Sequence, residues 1–320
     1  MKKIDNPLRI KVTGKCNRDC SFCHHEGGDC NIEEIFPDAA MKPLIRRLCS
    51  RLSIHSAALT GGEPLMHPDL PEFASFLTSD CGFDNIYITS NGILPQNKEF
   101  WNKMKKYRLK KVNISVPDVF SEYKRNSAIT EDVFHNQIEN ISLITRLGIP
   151  VDVNVVVFSD FLYTQYVIET LNSLNNGRFN FHIYLLPNLT KAGYKHSIET
   201  IKKVCKNIGY IQDYACSSDY ISNASVRYHD REGNQLFIKT TQKNNQIYRL
   251  PGLCNNCKLK DDCYEGFYGL RLEKRRGNYF IRLCLIKDTQ DTLIPLDQFF
   301  MTDIYKGLMK KWGGSNSDHG

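Results

Sequence analysis

Three cysteines, Cys16, Cys20 and Cys23, stand in Cys-x3-Cys-x2-Cys spacing just after a short apolar run, Leu8 to Val12. Thiolates are soft ligands, and three of them can hold three irons of a 4Fe-4S cluster while the fourth iron keeps no protein ligand. Zinc is the other metal this spacing serves, and it needs a fourth ligand from His24 or His25. Four more cysteines, Cys254, Cys257, Cys263 and Cys284, gather near the other end of the chain. Four thiolates suffice either for all the irons of a second cluster or for a zinc ribbon. The remaining five of the twelve, Cys30, Cys49, Cys81, Cys205 and Cys216, are expected to be small buried apolar residues.

The elements that must position these thiols can be read from the pattern of apolar residues. Six runs rich in Ile, Val, Tyr and Phe read as strands: Leu8 to Val12, Ser56 to Leu59, Asn85 to Thr89, Lys111 to Val116, Val151 to Phe158 and Phe179 to Leu186. Between them lie stretches with helical spacing, around 38–52, 69–80, 97–107, 132–147 and 162–174. Alternating strand and helix implies a parallel sheet with right-handed crossovers. Six units give an α/β fold, a partial (β/α)6 TIM-like barrel, with ligands expected at the C-terminal ends of the strands. In the fifth strand Asp152 and Asn154 point into the barrel if Val151, Val153 and Val155 face the helices.

After a further helix near 197–208 the pattern changes. Ser225 to His229 and Leu236 to Thr240 flank Glu232-Gly233-Asn234, and Tyr268 to Glu273 and Tyr279 to Leu285 flank Arg275-Arg276-Gly277-Asn278. Both read as antiparallel hairpins, and the second is bracketed by Cys263 and Cys284. The expected division is a barrel over 1–224 and, over 225–320, a small auxiliary-cluster domain that contains these hairpins and a C-terminal tail.

Two motifs together resemble the radical S-adenosylmethionine (SAM) superfamily: the first cysteine spacing with Phe22 before its last cysteine, and Thr60-Gly61-Gly62-Glu63-Pro64 after the second strand. The resemblance implies a 4Fe-4S cluster on Cys16, Cys20 and Cys23 whose fourth iron is chelated by SAM. It also implies that the segment Gly61, Gly62, Glu63 and Pro64 contacts the SAM amino group, with Glu63 offering a carboxylate near a cation. Further stretches are similar to the GTP 3′,8-cyclase subgroup, among them Leu8 to Thr13, Thr89-Ser90-Asn91-Gly92, Val112 to Val116 and Val153 to Val156. By that likeness Ser115 and a hydroxyl of Thr89 or Ser90, with Asn91 beside them, lie against SAM.

The second cysteine group departs from the cyclase pattern, because Cys263 is extra. Cys-x2-Cys-x5-Cys resembles the shortened "twitch" auxiliary domains of peptide- and sugar-modifying relatives, so a second 4Fe-4S cluster ligated by Cys254, Cys257, Cys263 and Cys284 is expected, ahead of the cyclase-like alternative in which Cys254, Cys257 and Cys284 leave one iron open to substrate. Cations that a triphosphate needs are also missing. His67 and Pro68 stand at basic positions, Asp152 at a lysine, and one arginine of a pair is absent at Gly269-Leu270-Arg271. GTP is therefore not the expected substrate, and a carboxylate at Asp152 suits a substrate amine. The expected reaction is hydrogen abstraction from a small molecule, leading to bond formation, epimerisation or dehydrogenation. The chain has no long N-terminal extension for a leader peptide, which favours a small molecule over the alternative, a ribosomal peptide.

Composition sets the outer limits. The chain has 320 residues, is 41% hydrophobic and 24% charged, and carries a formal charge of +7, which describes a globular, soluble protein. No apolar run approaches the roughly 20 residues of a membrane span, and no signal-peptide core follows Met1, so a cytoplasmic location is expected. The basic run Lys103, Lys105, Lys106, Arg108, Lys110 and Lys111 is read as a solvated helix face rather than a nucleic-acid surface. It could also dock an acidic flavodoxin- or ferredoxin-like electron donor. The competing reading from another class is a non-catalytic regulatory protein in which both cysteine groups hold structural zinc or clusters.

Overall fold

The computed structural model describes residues 6–20, 23, 29–117, 131–158, 161–175, 181–187, 191–217, 224–240, 242–243, 246–287 and 289–312. Phe22, His24, His25 and the tail from residue 313 onward lie outside the described residues.

The six expected strands pair in chain order and all in parallel: β1 (Leu8–Thr13), β2 (Ser56–Gly61), β3 (Asn85–Ser90), β4 (Leu109–Pro117), β5 (Val151–Val157) and β6 (Phe181–Pro187). The helices α1 (Met41–Leu52), α2 (Leu70–Ser79), α3 (Lys98–Lys106), α4 (Glu131–Arg146) and α5 (Phe161–Asn175) connect them, and α6 (Lys191–Asn207) follows β6. This is a partial (β/α)6 barrel. Local signals fix the element ends: Asn97 Oδ1 accepts from the Phe100 N–H at 2.8 Å to start α3, and Ser53 in the left-handed region stops α1.

Strand register sorts side chains onto two faces. Ile10, Leu59, Ile88, Val112, Val151 and Phe181 form one continuous buried row, packed in a single core with helix residues such as Ile45, Phe73 and Ile144. The neighbouring rows face inward and are polar. One runs Thr89, Asn113, Asp152 and His182, and another includes Arg9, Tyr87 and Lys111. The barrel therefore keeps its oil outside, under the helices, and a polar lumen inside.

The same sheet is extended at both edges. On the β6 side, β7 (Ile211–Ser217), β8 (Ala224–His229) and β9 (Gln235–Thr240) form an antiparallel meander, with β9 parallel to β6. On the β1 side, β12 (Arg271–Arg275) runs parallel to β1, followed by antiparallel β13 (Asn278–Arg282) and β14 (Leu293–Pro295). Two-residue strands β10 (Gln242–Lys243) and β11 (Gln246–Ile247) pair with each other. Both expected hairpins form, and the turn of the second places Arg276 and Gly277 at positive φ. The strands on either side of residue 224 are hydrogen-bonded neighbours in this sheet. Short α7 (Leu296–Phe299) and α8 (Asp303–Trp312) follow, and Trp312 stacks on Phe267 at 5.8 Å.

Two expectations change. Cys49, Cys81 and Cys205 are buried, and burial pushes the Cys81 and Cys205 thiols up to about 12, but Cys30 is exposed because it sits in the turn at 29–31. The basic run is not one solvated helix face. Lys103, Lys105 and Lys106 end α3, whereas Lys111 is in β4 and points into the lumen. The burial and side chain of Cys216 are outside what is described. Among the described residues, no helix is long and apolar enough to cross a membrane.

Candidate functional site

The C-terminal ends of β1 and β2 are joined beyond the strands themselves. The Gly62 N–H donates to Thr13 O at 2.9 Å and the Glu63 N–H to Lys15 O at 2.8 Å. The backbones come so close that a Cβ on Gly62 would lie 2.0 Å from Lys15 O, and one on Gly61, at φ +134°, 2.3 Å from Thr13 O. The glycine motif and the start of the cysteine loop are thus one backbone unit at the barrel mouth. The loop then turns tightly, with the Cys23 N–H donating to Cys20 O at 2.9 Å. Cys16 and Cys20 are half-buried and Cys23 is exposed. Burial pushes the Cys16 thiol up, the Arg18 backbone opposes this, and the charges of Glu63, Cys20 and Cys23 reinforce it.

Glu63 itself is fully buried. Its carboxylate accepts from Leu65 N–H at 3.0 Å, Ser90 Oγ at 2.8 Å and Asn91 N–H at 2.7 Å. Burial raises its pKa and those three hydrogen bonds pull the other way. Glu63 therefore ties the end of β2 to the end of β3. Pro64 opens the short helical turn that Glu63 caps. Ser90 is likewise engaged, donating to Glu63 and accepting from Gly92 N–H at 2.9 Å. Thr89 and Ser115 are half-buried on the lumen face, so of the two candidate hydroxyls in β3 it is Thr89 that a lumen ligand can reach. Asn91 donates to Asn17 Oδ1 in the cysteine loop at 2.7 Å.

The second cysteine group lies at the opposite end of the barrel. β12 starts, and β13 ends, level with Arg9 at the beginning of β1, and Cys284 follows β13 by two residues. Cys254, Cys257, Cys263 and Cys284 are all half-buried. Burial raises the Cys254 thiol most, the Leu250 backbone opposes it, and the charges of Cys284, Cys263 and Cys257 add to the rise. Gly266 N–H donates to Cys263 Sγ and Lys287 N–H to Cys284 Sγ, each at 3.4 Å. Among the described residues no three His, Cys, Asp or Glu side chains are gathered tightly enough to hold a metal ion.

The lumen acids are neutralised internally. Asp152 is buried as its strand position implies, but it pairs with Lys111 and, at 3.3 Å, with His182. Burial raises its pKa, and His182 and Lys111 outweigh that and lower it. The expected offer of this carboxylate to a substrate amine is thus corrected: Lys111 and His182 on neighbouring strands already occupy it. Glu273, fully buried on β12, accepts from Lys11 at 3.0 Å, Arg275 at 2.6 Å and Arg282 at 2.9 Å. Against the cost of burial, Arg282, Lys11 and Arg275 hold its carboxyl down at about 2. His67 is buried, with its ring nitrogens facing Ile35 O and Asp69 N–H, and burial lowers its pKa. A cleft of about 970 Å³ lies elsewhere, outside the barrel between α5, α6 and the β8–β9 turn.

The model of the family described as the Radical SAM superfamily matches residues 10–175, just over half of the chain. The chain belongs to the radical SAM superfamily. It is 31% identical over 178 residues to a probable GTP 3′,8-cyclase of Archaeoglobus fulgidus, covering 55% of this chain and 57% of that protein. A probable GTP 3′,8-cyclase of Saccharolobus solfataricus is 33% identical over 152 residues, 47% of each chain. The chain thus spans about half the length of the curated relatives it matches. The fold extends further. A structure of Streptococcus suis SuiB bound to S-adenosylmethionine covers 95% of this chain and 68% of its own, with TM-score 0.56 and 15% identity. One of native anSMEcpe with bound AdoMet and a peptide covers 97% of this chain and 84% of its own, with TM-score 0.54 and 14% identity.

Radical SAM membership implies a 4Fe-4S cluster and SAM, and the mouth fits that pair. Three thiols share one short loop, and Gly61 and Gly62 let the backbone leading into that loop lie directly against the end of β2. Sequence reasoning missed the residue that braces this mouth. Gln137 on α4 is buried and donates to Asn91 O at 2.5 Å and Ser115 O at 3.0 Å, linking β3 to β4. Its signal was a lone amide in the helix's apolar stripe of Phe134, Ile141 and Ile144.

Proposed function

We propose that this chain is a radical SAM enzyme that removes hydrogen from a small-molecule substrate other than a nucleoside triphosphate. Bond formation, epimerisation or dehydrogenation then completes a biosynthetic step. Cys16, Cys20 and Cys23 hold a 4Fe-4S cluster, and Gly61, Gly62, Thr89, Asn91 and Ser115 surround SAM. Cys254, Cys257, Cys263 and Cys284 hold an auxiliary 4Fe-4S cluster at the far end of the lumen. When bound and reduced by one electron, the first cluster and SAM supply a 5′-deoxyadenosyl radical able to take hydrogen from an unactivated carbon.

The observation that carries this reading is the backbone pairing of Thr13 and Lys15 with Gly62 and Glu63, which makes the cysteine loop and the glycine motif one unit. The chain's own work is positional. Glu63, Ser90 and Gln137 fix the ends of β2, β3 and β4, and the apolar outer face shields the lumen from water. A triphosphate finds few cations here, since Lys111 is engaged by Asp152, and Lys11 and Arg282 by Glu273. A flavodoxin- or ferredoxin-like protein supplies the electron, and exposed Lys103, Lys106 and Lys110 offer an acidic donor a surface.

Anaerobic reconstitution tests the reading. The wild type is expected to bind about eight irons, to absorb broadly in the visible and to form 5′-deoxyadenosine from SAM with dithionite. Cys20→Ala should abolish that product and keep the auxiliary iron. A colourless zinc-loaded protein, or normal SAM cleavage by Cys20→Ala, overturns it.

A further inference from the structure

Among the described residues, the six-stranded barrel is not closed by backbone pairing. β9 extends it beyond β6 and β12 extends it beyond β1, leaving an opening between these two flanks. Side chains meet across that opening. Lys239 Nζ, from β9, lies 5.6 Å from the ring centroid of Tyr268, in the segment leading into β12. The same nitrogen is 5.9 Å from the ring centroid of Tyr184 on β6, which stacks on Phe237 of β9 at 4.8 Å. From β1, the Arg9 guanidinium carbon lies 5.9 Å from the Tyr268 ring centroid. All five side chains are half-buried on the lumen side.

Two cations beside one ring bear directly on the Tyr268 hydroxyl. Burial pushes the Tyr268 hydroxyl up, yet the charges of Lys239 and Arg9 and a hydrogen bond from Lys239 overcome it. Glu265 opposes them, and the net result is a phenol held below its ordinary value of 10. A desolvated cation lying by an aromatic ring also holds that ring in place. Lys239 is thus both the clamp on Tyr268 and the charge that favours its phenolate.

We propose that Tyr268, positioned by Lys239 across the open seam, is a proton-transfer residue of the lumen that acts on a hydroxyl or ammonium group of the substrate. The proposal rests on the reading of the lumen as the substrate space. As phenolate, Tyr268 Oη takes one proton from the substrate. The substrate O–H or N–H bond breaks, Oη–H forms, and the bonding pair stays on the substrate heteroatom. Lys239 keeps its three protons throughout, and no electron is transferred. The reverse transfer returns the proton.

The test is a pH titration of the full chain labelled with 13Cζ-tyrosine, followed by NMR, with the neutral nitroxide 4-hydroxy-TEMPO as a solute probe. One resonance is expected to titrate below the ordinary tyrosine value and to vanish in Tyr268→Phe. Lys239→Met should weaken that acid about tenfold or more, one pH unit upward, whereas Lys239→Arg should restore it. The nitroxide should broaden the same resonance in the wild type. A Tyr268 that titrates normally, ignores Lys239→Met or escapes broadening overturns the proposal. Formation of 5′-deoxyadenosine by the wild type is scored separately. Its absence beside a low-titrating Tyr268 refutes the radical SAM activity, and its presence beside an ordinary Tyr268 refutes the proton-transfer role alone.

Discussion

Gly62 shows how little room the mouth allows. Any β-carbon there meets Lys15 O at 2.0 Å, an atom fixed by its own hydrogen bond from Glu63 N–H. Gly62→Ala should therefore displace the cysteine loop, destabilise the apo-protein by about 1–3 kcal/mol in urea titration, and prevent iron loading at Cys16, Cys20 and Cys23. Glu273 offers a test by pH. Its folded value of about 2 lies below the usual 4.5, so folding favours the carboxylate. The stabilisation it gives is present in full above pH 4.5 and is lost as pH falls from there toward 2. Glu273→Gln should cost about 3–5 kcal/mol near neutrality, with the gap to wild type closing below pH 4.5. The cysteines and the glycines were legible in the sequence because their types and spacings are rare. The direction of the Glu63 carboxylate was not, since its three donors include two from the end of β3, which only the folded sheet brings near.

At the scale of elements, the β12–β13 hairpin supports the segment that returns from the cysteine loop. Arg275 binds Asp29 at 2.5 Å, Gly277 N–H donates to Glu33, and Tyr279 donates to Asp38 at 2.7 Å. Arg275→Ala should loosen residues 29–38. The readout is faster hydrogen exchange at Ile32 and Ile35, whose amides bond to Asp29 O and Val12 O, with α5 and α6 unchanged. The strands and crossover helices were readable because apolar residues repeat with period two or near 3.6. β7 was missed because Ile211, Gln212, Asp213, Tyr214 and Ala215 are all exposed on an edge strand, so burial imposes no alternation there. The pairing of β12 with β1 was hidden for a different reason, as register between distant segments leaves no local trace.

Taken whole, the molecule holds its two cysteine groups at opposite ends of one polar lumen, separated by roughly 20 Å of strand. Chemistry at one end should therefore be separable from the auxiliary cluster proposed at the other. Cys263→Ala should lower iron content or alter the auxiliary EPR signal while SAM cleavage persists. An unchanged iron count and spectrum would mean that Cys263 is no ligand and that the fourth auxiliary iron is open. The sequence placed both groups in the chain but not in space, because their separation follows from strand direction and from β12 joining the β1 edge.

That late-joining strand has a consequence for how the chain is made. Arg9 pairs with Arg271, so the outer edge of the first strand waits about 260 residues for its neighbour. At translation rates of roughly 5–20 residues per second, the wait is on the order of tens of seconds. From the completion of β6 onward, a nascent chain whose other five barrel strands can already pair carries a bare row of N–H and C=O groups on β1, open to any passing strand. Ribosome-bound intermediates between the emergence of β6 and that of β12 are the stage at which this protein is most exposed to misassembly. Slowing initiation, which spaces ribosomes on the message, should raise its yield of folded protein more than slowing elongation.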